Sequence, residues 1–452
     1  MMSSEVSGPV PAPPRQRRAL RTMFSALGWG GGMAIMRMAC SFISIKVTAV
    51  TLGPAGLTLV AQFSNFVTLL QSMLGQGMVT GLICLDAEYG SDAERRRRVR
   101  STAAWMLLVL AVVFGLGMAA FAGPLSQWLL HDRTHEVLIA FAGFAVAAAM
   151  IADLLNGTLS ATKEIGLIGT ASMVSTVLGL VIFAPCAYVW GMQGALWGLF
   201  SVLIATALVT VIAVGRRSRG VKLGDYFGVF DRTECRKLLG FYPMLLINGA
   251  LAPLTLILVR DGLVAHVGLD TAGLWQATWR LSESYQAVII SSTALYYVSD
   301  VGERRGDPTA LRQQVLRSLA MATGSTALLA LLIALLRDPI VNIVFSPQFH
   351  PVVTLLPLQL VGDVLKMAGW IFAMTLVATM RPRRFIAVTV MSTLSFVGLT
   401  HALVPSLGVE GAIWAYIATG ALQVIAGMAG MHDILWPGLL GRSAGAPGRA
   451  SP

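Results

Sequence analysis

The stretch Gly191-Met-Gln-Gly-Ala-Leu-Trp197 returns as Gly408-Val-Glu-Gly-Ala-Ile-Trp414, 217 positions further on. Three shorter pairs keep the same offset without a gap: Ala55-Gly56-Leu57 with Ala272-Gly273-Leu274, Arg100-Ser101 with Arg317-Ser318, and Ala161-Thr162 with Ala378-Thr379. One short match is expected by chance, but four in one register along half a chain mark an internal repeat. The 452 residues therefore read as two copies of one unit.

That unit is built of membrane spans. Hydrophobic residues make up 56% of the chain and charged residues 12%, with a mean hydropathy of +0.72, too apolar for a soluble core of this length. Twelve apolar runs stand at roughly 24–50, 56–83, 101–130, 136–162, 165–190, 193–215, 241–265, 271–299, 313–336, 352–380, 384–405 and 409–436. Each reaches the ~20 residues that a helix needs to cross the hydrocarbon. Six runs per copy return the chain to its starting side, so the copies share one orientation and are related about an axis along the membrane normal. The expectation is an all-α polytopic membrane protein with twelve transmembrane helices in two parallel six-helix lobes around a central cavity. Its divisions are a tail at 1–22, a first lobe at 23–215, a linker at 216–240, a second lobe at 241–436 and a tail at 437–452. The alternative is a duplication kept for packing alone.

The cations give the orientation. Of 33 Lys+Arg, 26 lie in the N-terminal segment, the C-terminal tail and every second loop with its helix ends, against Arg133 and Arg337 in the other loops. By the positive-inside rule both termini are cytoplasmic and the chain is a multi-pass protein of the cytoplasmic membrane. Residues 1–22 lead into a long span without a small-residue cleavage site, which reads as an uncleaved first helix. The net charge of +11 is spread over separate loops and suits topology and anionic headgroups rather than nucleic acid. Cys40, Cys84, Cys186 and Cys235 have no metal-ligand spacing, and His131, His266 and His401 stand at span ends. No metal or cofactor is expected. With no Walker A pattern and no long polar segment for a catalytic domain, a gradient, a potential or the substrate's own concentration must drive any work.

Five cations, Arg37, Lys46, Arg260, Arg280 and Lys366, sit inside the apolar runs. Each costs at least ~2.5–3.5 kcal/mol at a helix centre, so they should face protein or a wet cavity. Arg280 with Glu283 and Asp363 with Lys366 are three apart, which puts each pair on one helical face. Arg37 and Lys46 are half a turn out of phase, and Lys46, near a span end, is placed to snorkel to the headgroups. The cavity-lining cations are then Arg37, Arg260, Arg280 and Lys366, with Asp153, Glu283, Asp363 and Lys46 as further cavity charges or coupling groups. The competing account is that these charges are structural ion pairs between helices. Trp275, Trp279 and Tyr285 bracket Arg280 and serve either as sugar platforms or as an interfacial belt.

The segments Leu52-Gly-Pro-Ala-Gly-Leu57, Gly273-Leu-Trp-Gln276 with Ser282-Glu283, and Leu358-Gln-Leu-Val-Gly-Asp-Val-Leu-Lys366 resemble the Wzx-type polysaccharide flippases. These belong to the superfamily of multidrug, oligosaccharidyl-lipid and polysaccharide exporters. Within them the chain looks nearest to the lipid III (enterobacterial common antigen) flippases, with O-antigen translocases close behind. The resemblance covers all twelve spans, and 358–366 is its most specific part. It implies that an undecaprenyl-pyrophosphate-linked oligosaccharide crosses from the inner to the outer leaflet through a cationic cavity by alternating access. Arg37, Lys46, Arg260, Asp363 and Lys366 fall where the family carries charged residues and Glu283 where it carries an acid; Arg280 and Asp261 are outside that pattern.

On this reading the four cations neutralise the pyrophosphate, while Asn156, Gln62 and Gln276 meet sugars. The lipid tail stays in the bilayer, because the phosphates and sugars are what hydrocarbon rejects. Coupling through Asp153 or Glu283 stays open. The implied partners are the lipid-linked oligosaccharide, membrane lipids, and a polysaccharide polymerase with its chain-length regulator. Two rivals remain: a cation-coupled multidrug exporter of the same superfamily, which needs an acidic cavity, and a membrane-embedded polysaccharide polymerase or ligase, which needs a large outer loop.

Overall fold

Gly191 and Gly408 both take a positive φ (55° with ψ −133°, and 61° with ψ −141°), a region that L side chains enter only at a steric cost. Each turns the chain between two antiparallel helices. Three residues later the motif's second glycine lets those helices meet. A Cβ on Gly194 would stand 1.8 Å from the Cys186 carbonyl oxygen, and one on Gly411 would stand 2.7 Å from Leu403 backbone atoms. Cys186 and Leu403 are themselves 217 apart. The repeated sequence is thus a repeated turn, conserved within the chain by backbone geometry.

The computed structural model describes residues 14–435 apart from 91, 219, 305 and 306, with side chains from Met36 onward save 37, 76, 243–245, 247–248, 295–296 and 298–299. The first half holds α1 (Pro14–Gln71), a π-helical turn (Ser72–Gln76), α2 (Gly77–Glu88), α3 (Ala93–Ala120), the short α4 (Ala122–Leu130), α5 (Glu136–Ala161) and α6 (Ile165–Arg217). After a linker come α7 (Arg232–Glu303), α8 (Pro308–Leu335), the short α9 (Arg337–Val344), α10 (Val352–Ala378), α11 (Pro382–Leu407), α12 (Val409–Gly430) and α13 (His432–Leu435). No described residue is in a strand.

Among the described residues nine helices are long and apolar enough to cross a membrane, fewer than the twelve separate helices expected. Three of them, α1, α6 and α7, are each two helical segments joined at Gly53, Gly191 and Gly268, where the backbone leaves the helical region. Two boundaries are corrected. The third run does not continue to 130, because α3 ends at Phe121 and α4 starts afresh; and the segment 337–351, expected as a loop, carries α9 and a 3₁₀ turn at Pro347–Phe349.

One end of the molecule carries Arg95–Arg98, Arg216–Arg217 and Arg381–Arg384 and is called the cation-rich end here; the turns at Gly53, Gly191, Gly268 and Gly408 mark the cation-poor end. At the cation-rich end Asp92, Asp231 and Asp307 accept backbone N–H groups of α3, α7 and α8, caps worth about 0.5–2 kcal/mol each. Leu116 (68% exposed), Leu328 (68%) and Leu335 (71%) point away from the protein, as lipid-facing side chains do. Inside, Phe63, Phe66, Phe141 and Phe200 pack the first half, and a second core runs through Val315, Phe349, Leu356 and Ile371.

The linker is not a free strand between halves. Arg100, 2% exposed, donates to Asp86 at 3.0 Å and to Asp225 of the linker at 2.8 Å. Tyr226 donates to Thr158 at 2.6 Å, Ser101 to the Val229 carbonyl at 3.0 Å and Trp105 to the Gly228 carbonyl at 3.0 Å. These bonds fasten the linker to α3 and α5 of the first half.

The halves meet chiefly along α1 and α7. Going from the cation-poor end, Ala55 N–H donates to Asp270 (3.3 Å), Thr58 to the Leu269 carbonyl (2.9 Å), Ser72 to the Gly249 carbonyl (3.0 Å) and Tyr242 to the Met73 carbonyl. Gly273 lies so close to Pro54 that a Cβ would stand 2.1 Å from its carbonyl oxygen. A further tie closes the cation-poor end: Ser346 donates to the Ala49 carbonyl at 3.3 Å.

Candidate functional site

Arg280 is the predicted cation that lines a cavity. It stands twelve residues past the Gly268 turn, about 18 Å along its helical segment. Its cavity, of about 470 Å³, is otherwise walled by the first half, including Ser44, Thr48, Ser64, Thr176 and Thr206. Those hydroxyls stand on α1 and α6 among apolar neighbours, and several donate back to their own helix, as Thr176 does to Ser172 and Thr206 to Val202. Lone pairs stay available for a ligand. Arg280 pairs with Glu283 at 3.4 Å, as the i,i+3 spacing predicts, and both stay partly exposed (31% and 41%). A partly exposed guanidinium facing hydroxyls suits an anionic, sugar-bearing group.

Arg260 has a different fate. It is 1% exposed, donates to Gln62 at 2.6 Å and to Gln276 at 2.6 and 3.2 Å, and lies 5.9 Å from the Trp275 ring. The depth has a simple origin. Arg260 and Gln276 stand eight residues to either side of Gly268, and Gln62 nine past Gly53, so all three lie about 12 Å from the cation-poor turns. Gln62 and Gln276, expected to contact sugars, are instead engaged with Arg260. No described carboxylate pairs with this guanidinium.

Asp363 and Lys366 share a face of α10 but form no ion pair. Asp363, fully buried, accepts from Tyr285 (2.7 Å) and Tyr416 (2.9 Å), while the Lys366 ammonium rests 4.5 Å from the Trp279 ring centre and 5.2 Å from that of Tyr416. The aromatic groups fit because cation–π contact replaces part of the lost hydration. Gln359, one turn earlier on α10 and also fully buried, has neither amide atom hydrogen-bonded to a described residue.

Of the remaining expectations, Lys46 is exposed towards the cation-poor end, and its ammonium donates to the Ile343 carbonyl of α9 at 2.8 Å. Asp153 is half-buried on α5 without a described ion-pair partner, and Asn156, one turn on, buries an unpaired carbonyl oxygen. Arg37 lies in α1 with its side chain outside the described residues. Arg260 and Lys366 are not among the residues lining the Arg280 cavity, so the four cations are not gathered on one wall. Tyr416 and Gln359 were missed as site residues, and Tyr285, expected as a sugar platform or part of an interfacial belt, donates to Asp363; that contact is visible only once α7, α10 and α12 pack together.

The repeat shows how one-sided the arrangement is. The first-half equivalents of Arg260, Gln276, Arg280, Glu283, Asp363, Lys366 and Tyr416, 217 positions earlier, are Ile43, Leu59, Phe63, Phe66, Val146, Ala149 and Leu199. These charges of the helix interior belong to the second copy; the buried Arg100–Asp86 pair of the first copy stands at the cation-rich end instead.

With this geometry in place, residues 48–354 match the polysaccharide biosynthesis protein family over more than half of the chain. The chain belongs to that family. The family member from Escherichia coli (strain K12) named lipid III flippase is 27% identical over 392 residues, 86% of this chain and 94% of the relative, and the lipid III flippase of Shigella flexneri matches equally. Among solved structures, an inward-facing multidrug resistance MATE family transporter of the MOP superfamily superposes with a TM-score of 0.76 at 18% identity, covering 91% of this chain and all of that one. The lipid II flippase MurJ in an inward closed conformation gives 0.70 at 10% identity, covering 92% and 91%. The polysaccharide biosynthesis protein described here therefore shares the helical fold of the MOP superfamily.

Proposed function

We propose that this protein is a flippase for a polyprenyl-diphosphate-linked oligosaccharide of the lipid III type, a transporter rather than an enzyme. The observation that carries the reading is the Arg280 cavity, a single partly exposed guanidinium from the second half facing hydroxyls and apolar side chains of the first. The family and the relatives named lipid III flippase supply the substrate class. A phosphate takes the planar guanidinium fork in bidentate fashion, and sugars take the hydroxyls. O-antigen units, and a polymerase with its chain-length regulator acting on the product, are extensions of the same reading.

On this reading the cation-rich end faces the cytoplasm, and the cation bias, which extends over the N- and C-terminal segments, supports that orientation. Ties between the halves stand at both ends of the seam, those of Ala55, Thr58, Lys46 and Ser346 at the cation-poor end and those of Ser72 and Tyr242 towards the cation-rich end. Alternating access requires the halves to rock so that one set of ties opens at a time, while the tail stays in lipid. Moving one negative charge outward down an inside-negative potential releases ~2.3 kcal/mol per 100 mV. A multidrug exporter is less well supported: a cationic drug needs an acidic wall, and the residues lining the cavity include Arg280 and no carboxylate.

The test is complementation of a cell lacking its lipid III flippase. Expression is expected to restore surface glycan; normal membrane levels of this protein with no glycan would overturn the reading.

A further inference from the structure

The repeat supplies an internal control for one arginine. Arg100-Ser101 and Arg317-Ser318 occupy equivalent positions, each within three turns of the start of α3 or α8 at the cation-rich end. In the first copy the arginine is neutralised: Arg100 is buried between Asp86 and Asp225, and Ser101 holds the linker backbone. In the second copy Arg317 is exposed and makes no hydrogen bond or ion pair with any described residue. The position equivalent to Asp86 is Glu303, which is exposed and not bonded to it.

Arg317 lines a pocket of about 620 Å³ between the end of α7 and α8. The other cation there is already satisfied: Arg304 pairs with Asp300 at 3.4 Å and donates to Gln314, whose amide reaches Ser318 at 3.4 Å. One positive charge is left over. The pocket is amphiphilic: Ser292, Ser318 and Ser325 line it together with Arg317, and so do the exposed Met321 (64%) and Val288 (44%). Arg317 stands about 14 Å along α8 from Pro308, on the cation-rich side of that span.

We propose that this pocket is a first docking site for the diphosphate of the polyprenyl-linked substrate, occupied on the cation-rich side before the head group moves to Arg280. The proposal rests on the flippase reading. Arg317 supplies bidentate hydrogen bonds to the diphosphate oxygens, the serines and Gln314 satisfy what remains, and the isoprenoid chain leaves past Met321. An ordinary acidic phospholipid carries a monophosphate diester with fewer acceptor oxygens and less charge, so it fits the same pocket less well.

The full-length protein in phosphatidylcholine nanodiscs is titrated with undecaprenyl diphosphate, with phosphatidylglycerol as competitor. R317A is expected to weaken diphosphate binding at least about tenfold, the loss of one charge-assisted contact, with R317K between it and wild type. Arg317 is exposed and unpartnered, so thermal stability should not change. Equal binding by wild type and R317A sinks the docking site and leaves the flippase reading standing. Displacement of the diphosphate by equimolar phosphatidylglycerol reassigns the pocket to a structural lipid and also sinks it. A wild type that binds no diphosphate overturns both.

Discussion

Arg260 of the second half and Gln62 of the first are joined by a hydrogen bond of 2.6 Å that spans the seam between the repeats. The guanidinium receives no carboxylate there, only the carbonyl oxygens of Gln62 and Gln276 and the face of Trp275. Neutral acceptors satisfy a buried cation's donors without cancelling its charge. Arg260 therefore keeps a positive field inside the protein while acting as a clasp between the halves.

Replacing Gln62 by Leu should leave one Arg260 donor buried and unmet, at a cost of about 1–3 kcal/mol. The thermal midpoint of the purified protein should fall, and Q62L with R260M should be more stable than the sum of the single losses predicts. Additive effects would remove the clasp.

Arg280 should matter for transport rather than folding. R280A is expected to reach the membrane at normal level and to lose most glycan export, with R280K partly active because charge is kept and the fork is lost. Full activity of R280A would exclude it from phosphate binding.

Tyr285 and Tyr416 hold Asp363 without a counter-ion in contact. Removing one hydroxyl, as in Y416F, should cost about 1–3 kcal/mol, and D363L should be milder than D363A because it fills the space without a buried charge. Midpoints measured in detergent decide the order; D363L falling further than D363A would mean that the site has no room for the larger apolar side chain.

At the cation-rich end Arg381 grips Asp433 through two bonds (2.7 and 2.5 Å) and Arg384 adds a third at 3.3 Å, which pulls the carboxyl down to about 2. A carboxyl lowered on folding contributes stability above its unfolded value, and loses it as pH falls through the folded one. Wild type should therefore exceed D433N in thermal midpoint at neutral pH, with the gap closing between 3.8 and about 2. A gap that persists to the bottom of that window would show that hydrogen-bond geometry, not charge, is responsible.

The turn glycines can be tested alone. G194A should be far more damaging than G191A, since its Cβ meets a carbonyl oxygen at 1.8 Å whereas Gly191 has open space and only a backbone cost of about 1–2 kcal/mol. Yields of membrane-inserted protein measure this, and equal yields would refute the close-packing role.

The repeat, the apolar runs and the cation bias were legible in the sequence because each is a property of spacing along one chain. Hydrocarbon forces backbone polar groups into helices, and the fixed offset of 217 aligns the turn glycines Gly191 and Gly408 whatever surrounds them. The Arg280–Glu283 pair was legible for the same reason, being one helical turn apart. Tertiary structure alone decided the rest. Asp363 and Lys366 satisfy the same spacing rule, yet Tyr285 and Tyr416 reach the carboxylate first and Trp279 takes the ammonium. Gln62 met Arg260 rather than a sugar because two turns brought them to one depth, and Lys46 found a carbonyl on α9 where a loop was expected. A charge buried in a bilayer takes the best partner within reach, and which partners are in reach is a fact about packing between helices, not about order along them.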